Sequence, residues 1–219
     1  CESARILLNS RSNLFPDGIG NGSGLVGKYL MDTVGAGVSG QIPALENIPP
    51  HNADGASGMH LYVPWWLYRE QAGGRLDFAR GYHIELGGGR RMPGFGTFGG
   101  LERLTGGSYG EQFKDDCRRY YGSFVGFAGR GEMIPNENCY CEIDPDHVDQ
   151  WGIPTLRFHW KWSEHEENQA RHMQQTFADI IEAMGGRVTT RVYDDGADAI
   201  EPGGQIIHEV GGVIMGDDP

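Results

Sequence analysis

The sequence predicts an α+β fold, an antiparallel sheet covered on one face by helices. Three observations predict it. TLRFHWKWS (155–163) alternates with the period of two that a strand imposes, and several shorter stretches are rich in β-branched and aromatic residues. One long stretch from Glu164 repeats apolar residues at three-and-four spacing behind a helix-start signal. The regular strand–helix alternation of a doubly wound nucleotide fold is missing.

CESARILLNSRS reads as a helix already under way at Cys1, with Ala4, Ile6, Leu7 and Leu8 as a broad apolar face, which implies processing or truncation upstream. FPDGIGNGSG breaks it with turn residues, and LVGKYLMD has the pattern of a short helix. From Val34 to about Arg91 the chain runs in short glycine-separated stretches, with HLYVPWWLY and GYHIEL the best strand candidates. LERLTGGSYGEQFKDDCRRYY is polar and partly helical. The clearest strand pair is GSFVGFAGRGEMIP with TLRFHWKWS. In the latter Leu156, Phe158, Trp160 and Trp162 share one face, and Arg157, His159 and Lys161 the other. Between them ENCYCEIDPDHVDQWGIP reads as a strand, a turn at Asp144–Pro145 and a loop. Ser163 and Glu166 fit the N-cap and N3 positions of a capping box. Ala170, Met173, Phe177, Ile180, Ile181 and Met184 then mark the buried face of a helix that Gly185–Gly186 stop. RVTTRVY follows as a strand, and an acidic turn leads to the closing segment.

At 219 residues, 38% of them apolar and five of them tryptophan, the chain can bury a substantial core. Its 36 glycines are more than twice the usual share of about 7% and point to tight turns and close backbone approaches, common around cofactors. A formal net charge of −12 excludes a nucleic-acid surface, which needs clustered Lys and Arg; the longest basic groups are the pairs Arg90–Arg91 and Arg118–Arg119. The C-x-C spacing of Cys139 and Cys141 matches neither a redox nor a zinc motif, so the cysteines read as reduced packing residues. No apolar run reaches the roughly 18 residues of a membrane span, and no signal-peptide pattern is present. Cytoplasmic and periplasmic settings both stay open.

Two glycine patterns suggest phosphate binding. GSGLVGKY (22–29) fits G-x-x-x-x-G-K, but Tyr29 stands where magnesium needs Ser or Thr. GFGTFG (94–99) fits G-x-G-x-x-G, yet turn residues precede both motifs where a buried strand is required. His165 and His172 lie seven residues apart on one helix, too far to share a zinc ion, so no metal site is expected.

The closing IIHEVGGVIMGDDP is different. HEVGGVIMGDDP resembles the C-terminal signature of the glucose–methanol–choline (GMC) family of flavin oxidoreductases: a His, then Gly-Gly, then Met-Gly and an Asp-Pro. ESARILLNS resembles that family's helix after the last FAD-domain strand, and SGLVGKYLMD the glycine-rich turn that follows it. GEMIPNEN and EIDPDHVDQWGIPTLRFHW resemble substrate-domain strands, in the family's order. The family's N-terminal G-x-G-x-x-G unit, and the second His or Asn that pairs with its active-site His, have no counterpart here.

The resemblance implies residues 1–35 and 201–219 as flanking pieces of an FAD-binding domain, around a substrate-binding domain at 36–200. It implies oxidation of a CH–OH group, with hydride passing to FAD and His208 as the base that takes the hydroxyl proton. An imidazole suits that role because its ordinary pKa, about 6.5, leaves it mostly neutral at neutral pH. Gly211 and Gly212 would let the backbone pass close to the flavin ring, with the Met215–Gly216 turn beside it. Substrate contacts are expected from Trp160 and Trp162, with Arg130 and Glu132 as further candidates; the two tryptophans read equally as core beneath the capped helix. A sugar or polyol is the expected alcohol. Oxygen, a quinone or a cytochrome stay open as electron acceptor. A noncatalytic fragment or subunit that needs a complementary chain is the alternative.

Overall fold

The structure, a computed structural model, describes residues 2–49, 61–89 and 97–215. In chain order its elements begin with α1 (Glu2–Asn9), β1 (Val34–Gln41), a 3-10 turn (Pro43–Leu45), β2 (Leu61–Val63), α2 (Tyr68–Ala72) and β3 (Tyr82–Gly88). They continue with α3 (Thr97–Thr105), α4 (Gly110–Tyr120), β4 (Phe124–Gly131), β5 (Tyr140–Val148) and β6 (Pro154–His159). Last come α5 (Glu164–Ala183), β7 (Arg187–Val188) and α6 (Gly196–Ala199). The chain divides into two compact units, Cys1–Thr33 with Glu132–Glu166 and Glu201–Pro219, and Val34–Gly131 with Glu167–Ile200. Antiparallel sheets with helices make the fold α+β, as the sequence predicts.

The second unit is a five-stranded antiparallel sheet in the order β2-β3-β4-β1-β7. Helix α5 is its cover. Met173, Phe177 and Ile181, four residues apart, are all 0% exposed, and Phe127 of β4 stacks on Phe177 at 5.7 Å between ring centroids. Burying each such side chain is worth about 1.5–3 kcal/mol. The helix can lie this close because the strands present glycine to it. A Cβ at Gly40 would sit 2.5 Å from Ile181 Cγ2, at Gly129 2.9 Å from Met173 Cγ, and at Gly131 2.8 Å from Gln169 Cδ. Both ends of α5 follow the sequence signals. Ser163 N–H donates to Glu166 Oε2 at 2.8 Å, and the Ser163 hydroxyl donates to the same oxygen. The capping box is only half formed, since Glu166 N–H goes to the Ser163 backbone carbonyl. At the other end Gly186 N–H reaches Ile181 O and Gly185 N–H reaches Glu182 O, the pairing of a Schellman stop.

In the first unit β5 and β6 form an antiparallel hairpin, and α1 lies on it. Ala4 and Leu8, one helical turn apart, are buried, while Arg5 donates to Pro154 O and pairs with Asp149 at 2.7 Å. Ile6, expected on the apolar face, is 64% exposed.

Five local expectations need correction. β4 and TLRFHWKWS are both strand-forming but not partners: β4 pairs with β1 and β3, β6 with β5. Asp144–Pro145 makes an irregularity inside β5 rather than a turn, because the Asp146 backbone N–H, His147 and Arg157 hold the Asp144 carboxylate; the reversal comes at 149–153. LVGKYLMD forms turns instead of a helix, since Gly27 and Tyr29 take left-handed backbone angles (φ 90° and 52°). β6 ends at His159, so Trp160 and Trp162 lie beyond the strand. Of RVTTRVY only Arg187–Val188 is strand. The motif GSGLVGKY sits wholly in turns, with no strand before it and no helix after it, which removes the phosphate-loop reading. Most of GFGTFG, with Arg90–Arg91, lies outside the described residues.

Candidate functional site

Residues 27–31 are the spine of the site, and backbone bonds hold both their edges. On one side Cys141 N–H donates to Gly27 O and Leu30 N–H to Cys139 O, each at 2.8 Å. On the other, Met31 and Val210 exchange N–H···O bonds of 2.8 and 2.9 Å. Gly27 N–H reaches Gly212 O at 2.6 Å, and Gly212 N–H reaches Lys28 O at 2.9 Å. Residues 210–212 are thus strapped onto the spine, with His208 two positions upstream. Gly211 must be glycine for two reasons: its φ is +80°, and a Cβ there would overlap the Tyr29 carbonyl.

Ile207, immediately before His208, also has a left-handed backbone (φ 59°), which costs a β-branched residue about 1–3 kcal/mol. His208 itself is exposed, and its imidazole has no hydrogen-bond partner among the described residues.

Beside the strap lies a cavity of about 420 Å³. Leu30, Met31, Phe158 and Trp160 form its apolar side. The Trp160 ring fits over Gly203, where a Cβ would come within 2.8 Å of the ring, and its Nε1–H donates to Leu30 O at 3.2 Å. Trp162 meets Trp160 edge-on at 4.3 Å and donates to Glu201 O, so it supports the wall without lining it. Asp32 and Glu209 form the acidic side. Asp32 is 4% exposed; its oxygens accept the Thr33 and Gly204 N–H groups at 2.7 and 2.8 Å, pinning the turn that leads into the His208 segment. Glu209 has no hydrogen-bond partner among the described residues.

Of the residues expected from sequence, the first unit gathers Trp160, Trp162, His208, Gly211, Gly212 and Met215. Met215 is 98% exposed, and Gly216 lies outside the described residues. Glu132, also in the first unit, is exposed and has no partner among the described residues. Arg130 belongs to the second unit, where it pairs with Glu85 at 3.5 Å. Sequence reasoning missed Asp32 and Glu209. The signals were faint: a lone acid closing YLMD, and an acid masked by its histidine neighbour.

Residues 135–219 match the model of the GMC oxidoreductase family. That segment of the chain is similar to GMC oxidoreductases. It is 27% identical over 219 residues to the fructose dehydrogenase large subunit of Gluconobacter japonicus, covering 100% of this chain and 36% of that protein. It is 27% identical over 217 residues to 2-methyl-1,2-propanediol dehydrogenase of Mycolicibacterium austroafricanum, covering 98% and 36%. A third relative, the gluconate 2-dehydrogenase flavoprotein of Pantoea cypripedii, is 26% identical over 124 residues, covering 51% and 18%. The chain therefore spans 36% of the length of the first two curated relatives.

The matched segment includes both tryptophans, Phe158, His208 and Glu209. Around His208 it leaves apolar surface uncovered: Ile207, Val210, Val213 and Ile214 are 41–76% exposed. That surface fits a flat, largely apolar ring. The dinucleotide end of such a cofactor finds no strand–turn–helix cradle among the described residues. Among them, too, no three His, Cys, Asp or Glu side chains converge as a metal site, and no helix is long and apolar enough to cross a membrane. Cys139 and Cys141 are buried, and burial pushes the Cys141 thiol up, which fits a packing role.

Proposed function

We propose that this chain supplies the base and part of the alcohol-binding surface of an FAD-dependent CH–OH oxidoreductase. Bound FAD supplies the hydride acceptor. His208 takes the hydroxyl proton as the carbinol hydride leaves, so that the alcohol becomes a carbonyl without a charged intermediate escaping to water. Gly211 and Gly212 hold the backbone low against residues 28–30, which would leave the exposed side chains of His208, Val213, Ile214 and Met215 free to meet the ring. The substrate lies against Trp160, backed by Trp162. Arg130 and Glu132 remain candidates for further contacts. The observation that supports this most is the strap: the one segment bearing His208 is fixed by four backbone bonds beside an aromatic-walled cavity.

The names of the relatives, dehydrogenases of fructose, of a diol and of gluconate, support a sugar or polyol as the alcohol. We assign the first unit to the flank of the FAD-binding domain and the second to the substrate domain. This moves residues 132–166, which the sequence alone put within 36–200, to the FAD side. The decisive experiment is stopped-flow reduction of the flavin in the holoenzyme. His208→Ala should slow reduction at least a hundredfold, the usual scale of a lost general base. Near-normal reduction in that variant would remove His208 from the mechanism.

A second reading is favoured by a relative described as a large subunit. In it the chain binds FAD only together with a complementary chain. The isolated chain is then colourless and acquires visible flavin absorbance only on mixing with that partner.

A further inference from the structure

The cavity beside the strap has a charge pattern that nothing so far explains. Its lining holds two carboxylates, Asp32 and Glu209, and no Lys, Arg or His. Asp32 is committed, each oxygen already accepting a backbone N–H. Glu209 is the uncommitted acceptor. The Trp160 ring and the half-exposed ring of Phe158 line the same cavity. An aromatic face suits the C–H surface of a polyhydroxy chain, while a carboxylate accepts from its hydroxyls. A ligand carboxylate entering the same space would meet two like charges with no cation to offset them.

We infer that Glu209 is a specificity residue, making this cavity select neutral polyhydroxy alcohols over sugar acids. The inference rests on the cavity being where the alcohol binds, and it narrows the substrate class within that reading. Glu209 adjoins His208, so a hydroxyl held by its carboxylate lies close to the strap that carries the base.

Three six-carbon ligands that differ only at one terminus provide the test: glucitol (neutral), gluconate (anionic) and glucamine (cationic). They are titrated into the 15N-labelled chain at low ionic strength, where charge effects are least screened. The readout is the indole N–H resonance of Trp160, assigned by its loss in Trp160→Phe. Glucamine and glucitol should shift it at lower concentration than gluconate. Glu209→Gln should shrink the neutral-over-acid preference about fivefold, the effect of one like charge some 4 Å away in a water-like medium. Glu209→Lys should reverse the order. Glu209 is exposed and unpaired, so neither change threatens the fold. Gluconate binding as well as glucitol, an unchanged ratio in Glu209→Gln, or no shift with any of the three would each overturn the inference. The titration involves no turnover, so its outcome stays separate from that of the His208→Ala experiment.

Discussion

Replacing Gly211 with alanine is a sharp test of the strap. The residue sits at φ +80°, where a Cβ costs about 1–2 kcal/mol. The added methyl would also lie 2.9 Å from the Tyr29 carbonyl carbon and 3.3 Å from Leu30 Cα, and would overlap the carbonyl oxygen. These are backbone atoms, so no side-chain rotation relieves the clash; the two segments must part by on the order of 1 Å to restore ordinary packing distances. A separation of that size takes the two Gly212 bonds, 2.6 and 2.9 Å long, past hydrogen-bonding distance. Each is worth about 1 kcal/mol net. Strain and lost bonds together come to about 3 kcal/mol, or roughly a hundredfold in the local opening equilibrium.

Native-state hydrogen exchange reads this directly. The amides of Gly27, Met31, Val210 and Gly212 should lose about a hundredfold in protection, while the amides of α5 stay as they were. In the holoenzyme the same variant should slow flavin reduction, because His208 is no longer held two residues from a fixed bridge. Protection of those four amides within about threefold of the parent would show that the strap does not hold the site as described.

Glu166→Ala should cost about 3 kcal/mol in urea-induced unfolding, because the 2% exposed carboxylate accepts from Ile134 N–H, Ser163 N–H and the Ser163 hydroxyl, and its loss orphans the first of these. A change under 1 kcal/mol would refute the role of that cap. Burial lowers the pKa of His172, whose Nδ1 lies 2.8 Å from the Tyr82 hydroxyl, so the unfolded chain binds its proton more readily. Stability should therefore fall as pH drops below about 6.5, and His172→Gln should flatten that slope in denaturation curves at pH 7.5 and 5.5. The Asp146 backbone N–H, helped by His147 and Arg157, holds the Asp144 carboxyl down at about 2. Its contribution is thus complete above about 4 and lost as pH falls towards 2, and Arg157→Ala should raise the carboxyl titration midpoint seen by NMR.

What was legible in the sequence was whatever local chemistry decides. Helix α5 was readable at both ends because caps, glycine stops and a three-and-four apolar repeat are short-range signals. The strand character of β3, β4 and β6 was readable for the same reason. Partnership was not: β4 and β6 alternate equally well, and only α5 packing on Gly40, Gly129 and Gly131 selects the sheet to which β4 belongs. Asp144–Pro145 looked like a turn because nothing in the dipeptide reveals that Arg157, thirteen residues on, will brace it. In the site, His208 and its glycines stood out through family likeness. Asp32 and Glu209 did not, since an acid's meaning there depends on the Trp160 wall, which is remote in sequence.

The glycine excess shows how a compositional signal can be right while its first interpretation is incomplete. Abundant glycine suggested backbone passing close to a cofactor. In the second unit the glycines that matter most instead meet α5, where side chains of Ile181, Met173 and Gln169 occupy the space a Cβ would take. In the first unit Gly211 meets the Tyr29 carbonyl, and Gly203 meets the Trp160 ring. Each meets a protein atom at the place where a Cβ would stand. The connection to chemistry is therefore one step removed: these glycines set the height of the strap and the depth of the cavity, and through those the placement of His208 and Glu209. A substitution at Gly203 or Gly211 should consequently affect substrate binding and flavin reduction together, whereas one at Glu209 should change which ligand binds best while leaving the strap's amide protection as it was.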